Sequence, residues 1–276
     1  MPKPPKELYS QLAKQLFAAK TIALPQNWTP PGSQFSNAFS VSELISLPNS
    51  PTNLFREATL NKYHVDTAKE IGEKFEKFID GVCGAVCDGI GNWLTASTIA
   101  GVMINAVVGV LTPGCVIGPP LGPLILAGAP KETPAELKYS TAIANAFGNA
   151  WTTWASGLTG QLMYPLFAAV PSPVAPPAPN VPMPLITFAS PGEALLSPST
   201  LKMSMVGLYG DPTALHSDDL FDALSQAFTT PFNMFKATTM VQNVLGTGPV
   251  PTFAPPFVPV GPVVGGVGTG PPGCLS

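Results

Sequence analysis

Ile90-Gly91-Asn92-Trp93-Leu94-Thr95-Ala96-Ser97-Thr98-Ile99-Ala100-Gly101-Val102-Met103-Ile104-Asn105-Ala106-Val107-Val108-Gly109-Val110-Leu111 contains no Asp, Glu, Lys or Arg, and the charge-free text extends over residues 89–130. Read as one helix, the quoted segment would be about 33 Å long at a rise of about 1.5 Å per residue. It runs into Pro-Gly text: Thr112-Pro113-Gly114-Cys115-Val116-Ile117-Gly118-Pro119-Pro120-Leu121-Gly122-Pro123-Leu124-Ile125-Leu126. Residues 139–192 and 237–276 are likewise uncharged. In each case a charged or capped helical start leads into an apolar helix and then a Pro-rich tail.

The helical parts superpose on one stripe. Val86, Ile90 and Trp93 match Phe147, Trp151 and Trp154, and then Phe228, Phe232 and Phe235, spaced i, i+4, i+7 along one helix face. Gly122-Pro123-Leu124-Ile125 follows Trp93 by 29 residues, Met183-Pro184-Leu185-Ile186 follows Trp154 by 29, and Gly261-Pro262-Val263-Val264 follows Phe235 by 26. The starts agree too. Thr67-Ala68-Lys69-Glu70 and Thr133-Pro134-Ala135-Glu136 have capping-box spacing, and Ser217-Asp218-Asp219 puts carboxylates in a first turn.

This grammar predicts a mainly α chain with Pro/Gly-rich extended tails, built from three drifted helix-plus-tail repeats set around a pseudo-threefold axis. The expected division is an N-terminal helix and extended wrapping arm at 1–61, repeats at 62–130, 131–192 and 217–276, and a polar insertion at 193–216. Within 1–20, Leu8, Leu12, Leu16 and Phe17 form the apolar side of a short helix. Residues 171–179 are too rich in Pro for a helix or a central strand, so polyproline II or an edge strand is expected there. Trp93, Phe147, Trp151, Trp154, Phe228, Phe232 and Phe235, with the tail prolines Pro123, Pro184 and Pro262, are the residues expected to carry packing and interaction.

Charged residues make up 11% of the chain against 45% hydrophobic. Globular domains are ordinarily about 25% charged, so something other than water should face much of this surface. A net charge of −3 with 13 basic residues is a poor footprint for nucleic acid. The start, Met1-Pro2-Lys3-Pro4-Pro5-Lys6, lacks the apolar core of a signal peptide.

Chemistry is sparse. Cys83 and Cys87 share a helix face, with Cys115 and His64 as candidate further ligands, but the Cys-x-x-Cys knuckle of structural zinc sites is missing. Buried thiols are the simpler reading, and a Cys115–Cys274 disulfide stays open. His64 and His216 each precede a helix start. No nucleophile elbow, phosphate loop or dinucleotide fingerprint is present. The expectation is no enzyme, no cofactor and no metal.

Residues 90–111 are also long enough to cross a hydrocarbon core of about 30 Å. Asn92, Asn105 and the glycines at 91, 101 and 109 speak against insertion. A membrane-inserting or pore-forming protein using the apolar helices is thus the second reading.

Tails such as Gly261-Pro262-Val263-Val264-Gly265-Gly266-Val267-Gly268-Thr269-Gly270-Pro271-Pro272-Gly273-Cys274 resemble, in composition, minor structural proteins of phage tails and contractile injection systems. The resemblance implies a baseplate, spike, plug or cap role in a virion or extracellular injection particle. Its partners would be other structural subunits of the assembly, with the chain present as a single copy on a symmetric site or as a homo-oligomer.

Overall fold

The structure, a computed structural model, describes residues 3–20, 59–167, 174–214, 216–250, 253–254, 258–259 and 262–276. The chain divides into two compact units, one of residues 1–20 and 79–276 and one of residues 21–78. Of the smaller unit, the described part is the first portion of a helix. The arm expected at 21–61 lies outside the described residues as far as residue 58.

Of the described residues 55% are helical and 20% strand, which makes this a mixed α/β fold and overturns the mainly α, threefold-repeat expectation. The helices are α1 (Lys6–Ala18), α2 (Thr59–Ala96), α3 (Leu121–Gly128), α4 (Pro134–Ser156), α5 (Pro198–Tyr209) and α6 (Ser217–Thr238). The strands are β1 (Thr98–Asn105), β2 (Val108–Leu111), β3 (Val116–Ile117), β4 (Gly160–Met163), β5 (Val174–Pro179), β6 (Met183–Pro184), β7 (Met240–Val241), β8 (Leu245–Pro249), β9 (Phe253–Ala254), β10 (Val258–Pro259) and β11 (Gly266–Gly270). An antiparallel seven-stranded sheet runs β4-β2-β1-β11-β8-β5, with β3 also paired to β1.

The segment 90–111 is not one helix. α2 ends at Ala96, and β1 and β2 then form a hairpin. β-Branched residues dominate from Thr98 onward, and Val102 and Ile104 alternate inward against Met103 outward, the period of a strand. At the turn Ala106 takes φ 58°. Its N–H donates to the Val263 carbonyl at 2.7 Å, and the Gly265 N–H donates to Asn105 Oδ1 at 3.0 Å. Gly101, at φ 76°, sits where the β1–β11 register shifts between Ile99 and Val102, a bulge geometry that glycine adopts without strain.

The aligned tails take three unlike conformations, and this removes the repeat. Gly122-Pro123-Leu124-Ile125 lies in α3, where Pro123 occupies the first turn and its missing N–H costs nothing. Met183 and Pro184 form β6, with Leu185 and Ile186 in a 3-10 turn. Residues 262–264 form no regular element before β11. The Pro-rich tail at 174–179 does take edge-strand geometry, as β5.

Other expectations shift by smaller amounts. Thr133 caps α4 with a full capping box: Glu136 N–H donates to Thr133 Oγ1 at 3.1 Å and Thr133 N–H to Glu136 Oε2 at 3.0 Å. Thr67, by contrast, lies inside α2. α1 buries Tyr9, Ala13 and Phe17 rather than the line Leu8, Leu12, Leu16. The insertion expected at 193–216 contains α5, which starts on Pro198 and stops at Gly210 in the left-handed region, φ 65°.

The helical core is aromatic. Trp93 meets Trp151, and Trp151 touches Trp154, Phe232 and Phe235. Phe147 packs on Phe228, and Tyr9 of α1 packs on Phe228 from another side. The tail of α2 joins this core through Ser10 and Lys14 of α1, both bonded to Asp80. The bundle meets the sheet where α4 touches β3, and α6 also touches β6, which pairs with β7 in a separate two-stranded ribbon.

Candidate interaction surface

The eleven strands among the described residues all lie within the three uncharged stretches, so the sheet contains no charged side chain. The charge-free text holds the whole sheet, together with the end of α2, all of α3 and most of α4.

The sheet has two unlike faces. Inward, β1 offers Val102 and Ile104, while the facing positions on its neighbours are glycines: Gly109 on β2, Gly266 and Gly268 on β11, Gly246 on β8. Into the space left by Gly109, Gly246 and Gly268 goes the side chain of Tyr164, which follows β4. A Cβ on Gly246 would lie 2.5 Å from Ile104 Cδ1 and 2.6 Å from the Tyr164 ring, and one on Gly109 would lie 2.8 Å from the same ring. Tyr164 thus reaches from one edge strand across to β8.

The edges approach each other as a consequence. Val181, just past β5, donates its N–H to the Met163 carbonyl of β4 at 2.7 Å, although β4 and β5 are the two ends of the strand order. The sheet therefore curls towards a small barrel. Asn180, buried, pins the junction: its Nδ2 donates to the Val241 carbonyl at 2.9 Å and its Oδ1 accepts from Val244 N–H at 2.9 Å. Burial pushes the Tyr164 hydroxyl up to about 12, and among the described residues the hydroxyl has no hydrogen-bond partner.

Outward, the register aligns Gln161, Val110, Met103, Val267 and Thr247 in one row across β4, β2, β1, β11 and β8. Met103 is 58% exposed and Val267 49%. Ile117, Met163, Val174 and Leu245 extend the exposed apolar surface on the same sheet. Exposed apolar residues are normal when scattered, whereas a contiguous set is a signal of contact.

The anticipated packing residues fall elsewhere. Trp93, Phe147, Trp151, Trp154, Phe228, Phe232 and Phe235 are all buried in the helical core and are brought together there. Pro184 is half-buried, and Pro123 and Pro262 are exposed. Composition had marked the tails as contact regions, but the alternation that makes a sheet face from them requires strand register, which the helix reading of 90–111 hid.

The thiol and imidazole candidates do not converge. Cys83, Cys87, Cys115 and Cys274 are free and buried. Cys115 precedes β3 on one side of β1, and Cys274 follows β11 on the other, so they do not pair. Among the described residues no cluster of His, Cys, Asp or Glu is arranged to hold a metal ion. His216, at the start of α6, lies 3.4 Å from Asp219 Oδ2, a local contact. The His64 side chain is outside the described residues.

No protein-family model matches the chain, and no curated protein and no solved structure gives a significant match. The functional reading rests on surface chemistry.

Proposed function

We propose that the chain is a structural subunit of a large protein assembly and docks on its neighbours through the outward face of the curled sheet. The observation that carries this is a seven-stranded sheet without one charged residue, exposing Met103, Val110, Val267 and Leu245. A surface of that kind loses little on desolvation and gains by burial, at about 25 cal/mol per Å² of apolar area. Its partners would be other uncharged protein surfaces, since a charged neighbour would give up hydration without compensation. The compositional likeness of the tails to phage-tail and contractile-particle proteins suggests a baseplate, spike, plug or cap role.

Membrane insertion has less support. No helix among the described residues is long and apolar enough to cross a membrane. Among the described residues the longest strand, β1, has 8 residues, while a tilted membrane strand needs about 9–11.

The test is incorporation. Met103→Lys and Val267→Lys place a charge at the centre of the face without touching the core. Native particles purified from cells carrying either variant should contain much less of the chain than wild type. Equal incorporation of both variants would sink the reading.

A further inference from the structure

We propose that Tyr139 and Tyr209 form an oxidative cross-linking site, where a one-electron oxidant such as a peroxide-charged haem peroxidase joins the two phenols into a dityrosine. The site lies among the helices and is independent of the docking reading. Tyr139, in the second turn of α4, stacks on Tyr209, the last residue of α5, with ring centroids 4.4 Å apart and planes at 22°. Their side chains are also hydrogen-bonded to each other. Phe221 of α6 packs on both rings, 5.8 Å from Tyr139 and 5.6 Å from Tyr209, and holds the pair in place. The ring centres of a dityrosine are separated by two ring radii plus one carbon–carbon bond, which is close to the separation already present. Coupling therefore needs a slide of the rings from overlap to edge contact, not an approach of the two helices. Tyr9 and Tyr164 lie instead against phenylalanines, Phe228 and Phe167.

Tyr139 is half-buried while Tyr209 is 8% exposed, so an oxidant meets Tyr139 first. Burial and the neighbouring phenol raise the Tyr139 pKa, so the neutral phenol reacts and not the phenolate. It gives an electron to the oxidant and its hydroxyl proton to water, which leaves a phenoxyl radical. A second equivalent of oxidant takes an electron from Tyr209, whose hydroxyl proton leaves in the same way. Lys138, ion-paired to Asp211 at 3.3 Å, holds its ammonium 4.4 Å from the Tyr209 ring centroid. A cation there makes electron loss from that ring harder, which keeps Tyr139 first in order. The two radicals pair their electrons in a carbon–carbon bond between ring positions ortho to the oxygens. The two ortho hydrogens then move to the oxygens and restore both phenols. The pair loses two hydrogens in all, and with peroxide as terminal oxidant one peroxide becomes two waters. The new bond braces α4 against α5 in a chain whose cysteines are free and buried.

The experiment exposes the dilute, folded chain to light with a ruthenium(II) tris-bipyridyl complex and persulfate, a small one-electron oxidant. Wild type, Tyr139→Phe, Tyr209→Phe and a control, Tyr164→Phe, are compared, with near-UV circular dichroism to check their folds. Wild type and control should gain dityrosine fluorescence while running as monomers on denaturing gels. Intact mass should fall by two hydrogens, and a digest should yield one peptide pair joined through Tyr139 and Tyr209. The oxidised chain should also melt at a higher temperature than the untreated one. Tyr139→Phe and Tyr209→Phe should lose all four signals. The wild-type peptide map decides the matter even where a variant folds poorly. A link through other tyrosines, links formed only between chains, or oxidation that stops at single-tyrosine products overturns the inference and leaves the pair as packing. Loss of the link in Tyr164→Phe overturns it too.

Discussion

The indole of Trp93 meets that of Trp151 edge to face, with ring centroids 5.4 Å apart and planes at 83°. This contact joins α2 to α4, and through Phe232 and Phe235 it joins both to α6. Edge-to-face pairs are worth about 0.5–1.5 kcal/mol beyond their burial. Trp151 is 0% exposed, so truncation leaves a closed cavity.

Trp151→Ala should therefore lower the stability of the chain by about 3–5 kcal/mol in denaturant titration. Trp151→Phe should cost less, because it also removes an indole N–H that has no hydrogen-bond partner among the described residues. A loss below about 1 kcal/mol for the alanine variant would mean that the three stripes do not share a core.

Tyr164 makes a prediction in pH. Its folded pKa is raised to about 12 from 10.0 by burial. The folded state thus holds its proton where the unfolded state has lost it. Stability from this group is fully present below about pH 10 and is lost as pH rises towards 12. Tyr164→Phe should be nearly neutral at pH 7, since the deleted hydroxyl is unpartnered among the described residues. Its melting temperature should fall less than wild type between pH 10 and 12, measured by circular dichroism. Parallel decline of the two proteins would contradict the placement of the ring.

The glycine slot beneath that ring predicts intolerance of a single methyl. Gly246→Ala should destabilise by about 1–3 kcal/mol, the scale of overpacking. The clash with Ile104 Cδ1 at 2.5 Å should be relieved in part by Ile104→Val, which removes that atom. A double-mutant cycle that shows no coupling between the two positions would refute the close approach.

Lys236 is 7% exposed, and its ammonium pairs with Glu193 while standing 4.8 Å over the Phe232 ring. Removing the carboxylate leaves a buried cation against the ring. Glu193→Ala should cost about 1–3 kcal/mol, scaled down because Glu193 is partly solvated. Lys236→Met in the same background should recover most of the loss. Thermal melts of wild type, the two single variants and the double variant give the answer, and additive losses would rule out the pair.

Cys87 has its thiol pushed up to about 12 by burial, with Asp88 adding to the effect. At pH 8 almost no thiolate is present. Ellman's reagent should therefore leave it unmodified in the native chain and react with it promptly in guanidinium. Fast native reaction, tracked to Cys87 by peptide mapping, would show that the α1–α2 contact opens.

Much of the helical architecture could be read in the chain because its signals are local. Thr133-Pro134-Ala135-Glu136 satisfies a first turn with its own side chains, and Asp218 and Asp219 suit a helix N-terminus wherever it sits. The i, i+4, i+7 stripes put Trp93, Trp151 and Phe232 on inward faces before any partner was known. Ser197, Pro198 and Gly210 bracketed α5 in the same local language, but its inward stripe, Leu201, Met205 and Tyr209, is thin.

The sheet was decided only by tertiary structure. Residues 98–111 are apolar enough to suit a helix or a strand, and the choice falls to strand because β11 and β2 are there to satisfy both edges of β1. In the sequence, Gly109 falls within the segment read as an apolar helix, and Gly246 and Gly268 fall within the uncharged stretch 237–276. They acquire a purpose when Tyr164, from a distant edge strand, needs their missing side chains as space. The absence of charge was visible throughout, but its position was not. Non-local pairing gathered the three uncharged stretches into one sheet, and register sorted their residues into a glycine-lined interior and a surface of methyl and thioether groups.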